Sequence, residues 1–432
     1  MKKITMLIVM ALLCLNFPAG AQPSRVATGL QPGDVVPNVA IDHLINYQRP
    51  SADLYAFKRK LLILDFWATS CAPCIGQIAK LDSLQTGFGD QIKILSVTGE
   101  RTQAILNFNK RYDATHPQKN RLPSVVEDKA LRKLFPYHYI PHYVWIGQDG
   151  KVAGFTSAYY LTAENIRAFL TTGRLDSIPV KADVDLERPL FSSNSLPLNK
   201  LLTYKIFFKG RLEGTGASAR VRQGEETMGI CWTNETLAGL FNNCGSKLIA
   251  NYSPKNMVVQ AADSAALFYV NKRIAKADWY HDHVYSVDYI IPKVEPQIFY
   301  QDVLDFISSS SPYQAVIAPQ NVKHLELRLG SSYSNDASSQ AAYKNTLYAK
   351  PSGSLVNGPV NDFISWFNEK FPGWPILIDK TNATQPVTIN INQDLKSVAQ
   401  LQSVLAAQGF QLITSDEPID MLIIQPHSNA KP

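Results

Sequence analysis

Cysteine is scarce in this chain, with five among 432 residues, and the shortage excludes several classes at once. Cys71 and Cys74 form the sole CxxC, and no second CxxC or CxxH stands at zinc-finger spacing, which argues against a structural zinc site. Long apolar runs are also missing. Beyond the first residues no segment of ~18 apolar residues occurs, so no spanning helix is expected in the mature chain. No run of Lys or Arg clusters with aromatics, and the net charge is only +6, so a nucleic-acid partner is not expected. The glycines of GRLEGTGASARVR lack the Lys-Ser/Thr of a phosphate loop, which argues against a nucleotide site. What remains is ordinary globular composition, 45% hydrophobic and 18% charged, in a chain long enough for two or three domains.

The informative stretch is Leu61 to Leu84. Four apolar residues run into Asp65, Phe66 and Trp67, as in a buried strand. After a short turn come Cys71, Ala72, Pro73 and Cys74, and then Ile75, Ile78, Leu81 and Leu84 at helical spacing. Cys71 is thus expected where a strand hands over to a helix N-terminus. Unpaired N–H groups and the helix dipole favour a thiolate there, making Cys71 the attacking sulfur. Cys74, one turn deeper, can close a disulfide with it, and Pro73 falls in the first turn, where a missing N–H costs nothing. A purely structural disulfide is the rival reading, but so short a loop constrains the unfolded chain only weakly.

These residues, FWATSCAPC, resemble the FWATWCxPC signature of secreted thiol-disulfide oxidoreductases of the TlpA/ResA type. The resemblance covers roughly Gly33 to Gly173 and implies a thioredoxin-like α/β fold, a central mixed sheet flanked by helices. It implies that Asp65 is the buried acid that helps deprotonate the second cysteine. It also makes Tyr139-Ile140-Pro141-His142-Tyr143 the loop whose cis-proline faces the disulfide, and VWIGQDGKVAGF the closing hairpin. Candidate catalytic residues are therefore Cys71, Cys74, Asp65 and Pro141, and candidate substrate contacts are Trp67, Ala72, Pro73, Ile140 and His142. His142, with His138, also admits a plainer reading as a surface loop histidine. Ser70, Gln77 and Ala79 depart from the usual Trp, Glu and Pro, which bears on pH dependence and redox poise but not on the dithiol chemistry. No cofactor beyond the Cys71–Cys74 disulfide and no metal is expected. The implied partners are disulfide-containing periplasmic proteins and a membrane thiol donor of the DsbD/CcdA type.

Taken in order, residues 1–21 read as a signal peptide: Lys2-Lys3, an apolar stretch from Ile4 to Phe17, and Ala19-Gly20-Ala21 as the cleavage site. Leu13 before Cys14 makes a poor lipobox, so anchoring through Cys14 is not expected. This places the mature chain in the periplasm, where cysteines are normally oxidised. Residues 22–175 read as the redox domain. Strands are expected at Ile92–Val97 and Pro123–Val126, helices at Thr102–Tyr112 and Lys129–Phe135, a hairpin turn at Asp149-Gly150, and a last helix capped by Thr162. Residues 176–198, with Pro179, Pro189 and Pro197, read as a linker.

Residues 199–432 read as a separate α+β domain. Cys231 and Cys244 suggest a structural disulfide, with two free buried thiols as the alternative. His281 and His283 share one face if their segment is a strand, a weak metal pair. Ser331–Gly358 reads as an exposed loop, Pro359–Phe371 and Leu395–Gln408 as helices, and Phe410–Ile413 with Met421–Ile424 as a closing hairpin. PILIDKT, VLAAQGFQL and IDMLIIQ resemble an uncharacterised soil-associated secreted domain family, and the end also resembles the small secretin/TonB N-terminal domain. Neither supplies catalytic residues, which makes this part a non-catalytic interaction module. Two functions compete: an envelope oxidoreductase, in the reducing direction, and a binding or sensing protein that uses the thioredoxin-like part as a scaffold.

Overall fold

In the computed structural model, residues 29–57, 60–176, 178–179, 181, 184–193, 195–261, 264–270, 273–333, 342–348 and 353–427 are described. The segment read as a signal peptide lies outside them. The chain divides into two units, Met1–Asp183 and Val184–Pro432.

The first unit starts with short pieces, β1 (Ala40–Ile41), β2 (Leu44–Ile45) and β3 (Ala52–Asp53). The apolar run then forms β4 (Leu61–Phe66), every residue of which is buried. After the cysteines the helix is not continuous: α1 (Ala72–Ile75) ends at Gly76, and α2 (Ile78–Phe88) begins after Gln77, whose N–H donates to Cys74 O at 2.9 Å. That i→i+3 bond tightens the turn and breaks the helical ladder. Next come β5 (Ile92–Val97), α3 (Thr102–Thr115), β6 (Ser124–Val125), α4 (Ala130–Leu134), β7 (His142–Ile146), β8 (Val152–Thr156) and α5 (Ala163–Thr172). Thr162 caps α5 by accepting from Asn165 N–H, and Gly150 takes a left-handed φ of 78° at the β7–β8 turn.

The sheet order is β2-β6-β5-β4-β7-β8, with β4, β5 and β6 parallel and β7 and β8 antiparallel. This is the thioredoxin-like arrangement. Alternation along β4 sends its residues to two cores. Leu61 and Ile63 pack with Leu81 and Leu84 of α2 and Ile166 and Phe169 of α5. Leu62, Leu64 and Phe66 pack on the other face with Leu131 and Phe135.

The second unit opens with β9 (Tyr204–Lys209), β10 (Ser218–Gln223), β11 (Thr227–Thr236), α6 (Leu237–Leu248), β12 (Met257–Val259), α7 (Lys276–His283), β13 (Val284–Pro292) and α8 (Pro296–Ser310). It continues with β14 (Tyr313–Asn321), β15 (His324–Leu329), β16 (Lys344–Asn345), β17 (Gly353–Gly358), α9 (Val360–Lys370), β18 (Ile376–Asp379), β19 (Val387–Ile391), α10 (Val398–Ala406), β20 (Phe410–Ser415) and β21 (Pro418–Pro426). An antiparallel sheet, β10-β11-β13-β9, carries α6 and α8 on the face that presents Ile230, Trp232, Val287 and Tyr289.

Several expectations are corrected here. The two last strands do not form a hairpin with each other: β20 pairs with β15, and β21 pairs with β14 and β12. Tyr313 opposite Pro426 and Leu329 opposite Phe410 keep one antiparallel register, so β14–β15 and β20–β21 are two arms of a single long ribbon, interrupted at residues 322–323 and 416–417. The Ser- and Gly-rich stretch is not all loop. β17 pairs with β19 because Leu355, inside it, is fully buried against the α9 core. His281 and His283 lie on α7, where positions two apart do not share a face. His283 stacks on Trp279 at 4.6 Å and His281 meets Asp282. Residues 184–190, inside the stretch read as linker, are held by the second unit: Arg222 donates to Leu186 O and Arg188 O, and Leu190 N–H donates to Asp288.

The Cys231–Cys244 disulfide is also overturned, since both thiols are free and buried. Ile230 and Trp232 of β11 face α6, where Cys244 sits. Cys231 between them therefore points to the opposite face, beside Arg222 and Asp288. The sheet itself separates the two sulfurs.

Candidate redox site

The site forms where β4 ends. Trp67 N–H donates to Val97 O, so the chain stays pinned to β5 before it turns, and Cys71 N–H closes the turn on Ala68 O at 3.0 Å. Cys71 then caps α1, with Pro73 in the first turn. Cys71 and Cys74 are joined by a disulfide. Cys71 is half-buried and Cys74 is 3% exposed, while Ala72 and Pro73 lie open at the surface. Only the first sulfur can therefore be met from outside. Cys74 N–H donates to Cys71 Sγ at 3.2 Å, a bond that would stabilise a Cys71 thiolate after reduction.

Asp65, near the end of β4, is 4% exposed. Burial pushes its carboxyl up to about 7, against the opposing effects of Ser96 and Tyr143. Ser96 Oγ donates to Oδ2 at 3.1 Å. Among the described residues Oδ1 has no geometric hydrogen-bond partner, and neither does the nearby Tyr143 hydroxyl. A buried carboxyl with an open oxygen, titrating near neutrality, can both take and return a proton.

The Ile140–Pro141 peptide is cis. Ile140 and Cys71 pack against the same buried cluster, which contains Trp67, Cys74, Ile78, Phe108 and Tyr112. Two expected substrate contacts are different in kind. Trp67 is 4% exposed and packs on Phe108 at 5.2 Å, supporting the site from beneath. His142 is neither a surface histidine nor open to a substrate. It is buried on β7 among Phe66, Tyr137 and Phe155, on the face away from Asp65. Burial and then the Lys181 ammonium hold it down at about 3, so it stays neutral. Among the described residues no three His, Cys, Asp or Glu side chains gather as a metal site, and no helix is long and apolar enough to cross a membrane.

Two residues at the site, Glu100 and Lys181, escaped the sequence reading, and a third, Tyr143, was named there only as part of the Pro141 loop. Glu100, just after β5, accepts from Thr69 N–H and Thr69 Oγ, both at 2.7 Å, and ties down the turn that leads into Cys71. Tyr143 stands opposite Asp65 across β4 and β7. Lys181 reaches the Pro141 loop. None follows a periodic pattern; each is brought in by the sheet or by the chain's return path.

No protein-family model matches the chain. It is 28% identical over 98 residues to the thioredoxin-like protein YneN of Bacillus subtilis, covering 22% of this chain and 56% of that one. It is 28% identical over 127 residues to a thiol-disulfide oxidoreductase ResA of Bacillus cereus, covering 28% of this chain and 68% of that one. Among solved structures, the thioredoxin domain of a thiol-disulfide oxidoreductase from Bacteroides vulgatus aligns at 20% identity with a TM-score of 0.24, over 29% of this chain and 86% of that one. Over the matched residues the chain is similar to thiol-disulfide oxidoreductases, and it spans little more than half the length of the first of these relatives.

Proposed function

We propose that the protein is a thiol-disulfide oxidoreductase of the bacterial cell envelope that reduces disulfides of periplasmic proteins. The observation that carries this reading is the asymmetry of the pair: a reachable Cys71 with an N–H on its sulfur, and a buried Cys74. In the reduced protein the Cys71 thiolate attacks a substrate disulfide, forms a mixed disulfide and expels one substrate thiolate. Cys74, its proton taken by Asp65, then attacks Cys71 Sγ. The Cys71–Cys74 disulfide re-forms, and the second substrate sulfur leaves as a thiolate that takes up a proton. Two electrons pass to the substrate, and a membrane thiol donor of the DsbD/CcdA type would restore the dithiol. Ala72, Pro73 and the backbone at Ile140 and Pro141 form the docking edge. Residues 199–432 serve as an interaction module that brings clients or partners to the first unit.

The equilibrium redox potential of Cys71–Cys74 tests the direction. We expect a value near or below about −250 mV, and one near roughly −120 mV would mark an oxidant instead. A Cys74→Ser chain is expected to accumulate mixed disulfides through Cys71. If it traps none, and the wild-type pair accepts no electrons from a thioredoxin-like donor, the first unit acts as a scaffold.

A further inference from the structure

Lys181 is an unusual occupant of the interior, with 5% of its surface exposed. Its ammonium donates to Tyr139 O at 2.7 Å and to Pro141 O at 3.3 Å, and it lies 3.2 Å from His142 Nδ1. The backbone N–H of the same residue donates to Phe155 O of β8 at 2.9 Å. Lys181 is therefore fixed at its backbone to β8 and at its ammonium to the loop that leads into the neighbouring strand β7. A buried ammonium carries three donors that need acceptors and a charge that needs compensation. Here two carbonyl dipoles supply part of both, and they are the carbonyls on either side of Ile140. His142, neutral and enclosed by aromatic rings, turns a ring nitrogen towards the ammonium and closes the arrangement.

Resting on the reading of Cys71–Cys74 as a redox pair, we propose that Lys181 is a positioning residue for protein substrates, holding the Ile140–Pro141 loop against the disulfide through the carbonyls of Tyr139 and Pro141. A substrate chain that docks along this loop needs its backbone held to within a fraction of an ångström, because small displacements cost large factors in rate. A small disulfide, which meets only Cys71, does not. Lys181 lies at the end of the first unit, three residues before the second begins, and outside the span that carries the sequence motifs.

The test uses the full mature chain with two oxidants, insulin as the protein disulfide and glutathione disulfide as the small one. Lys181→Met keeps the length and burial of the side chain but removes the donors. We expect its rate on insulin to fall about tenfold, mainly as a raised KM. Its rate on glutathione disulfide and the Cys71–Cys74 equilibrium with glutathione should stay within about twofold of wild type. Amide exchange in residues 137–146 should accelerate without a change in α2 or α5. Lys181→Arg, which restores charge and donors, should recover most of the insulin rate; should the methionine chain not fold, the arginine chain against Lys181→Gln carries the same comparison. An insulin rate unchanged in Lys181→Met, or an equal loss on both substrates, overturns the inference while the oxidoreductase reading stands. A wild-type chain that reduces neither substrate overturns both.

Discussion

Asp65 illustrates how a single side chain links stability to chemistry. Its carboxyl lies at about 7 in the folded protein against 3.8 as a free side chain, so folding favours the protonated form. The associated stability is fully present below pH 3.8 and is lost as pH rises to about 7. At about 1.36 kcal/mol per pH unit, the loss is on the order of 4 kcal/mol. Asp65→Asn removes this titration. Urea unfolding of the oxidised protein should show the variant gaining on wild type by a few kcal/mol between about pH 4 and pH 8, while resolution of the mixed disulfide by Cys74 slows. Parallel pH profiles for the two chains would exclude Asp65 as the titrating group. Keeping this carboxyl buried thus opposes stability once pH rises through about 7.

At the scale of elements, the strap of residues 184–190 depends on one buried ion pair. Arg222 of β10 and Asp288 of β13 meet on one face of the sheet, their side chains 12% and 0% exposed. Burial raises the Asp288 carboxyl, and Arg222 pulls it back down. Besides the ion pair, Arg222 donates to two strap carbonyls and Asp288 accepts from Leu190. Removing one partner leaves the other charge buried alone, which costs about 3–5 kcal/mol. Arg222→Met should lower the urea midpoint of the second unit accordingly, and adding Asp288→Asn should return part of the loss. Additive losses in the double variant would show that the two groups do not act as a pair. The strap was read as linker because the stretch around it, residues 176–198, carries Pro179, Pro189 and Pro197. What anchors it comes from strands more than thirty residues away.

For the whole molecule, the cysteines of the two units separate by burial and partner rather than by number. Cys71 and Cys74 are paired, whereas Cys231 is pushed up to about 12 by burial, and Cys244 is pushed well above the usual thiol range by the same cause. Alkylation of the native mature protein should leave both unlabelled, and alkylation after denaturation without reductant should label Cys231 and Cys244 and spare the site pair. A Cys231–Cys244 crosslink in that digest would contradict the opposite-face placement. The Cys231→Ser, Cys244→Ser chain should keep the potential of the site pair, since the two thiol sets belong to different units.

The local pattern of the sequence determined the first unit: an apolar run ending in Asp65-Phe66-Trp67, a CxxC with Pro73 in the first turn, and the hairpin marked by Asp149-Gly150. Period and turn chemistry are short-range properties, so they survive without knowledge of the rest of the chain. Tertiary structure decided everything that depended on which face or which partner a residue met. Cys231 and Cys244 are thirteen positions apart yet on opposite sides of a sheet, and β20 and β21 adjoin in sequence but take different partners. Lys181 reached a loop forty residues away. Facing and pairing are long-range choices made by the core as a whole, because the same period-2 strand can turn either face inward until its neighbours are in place.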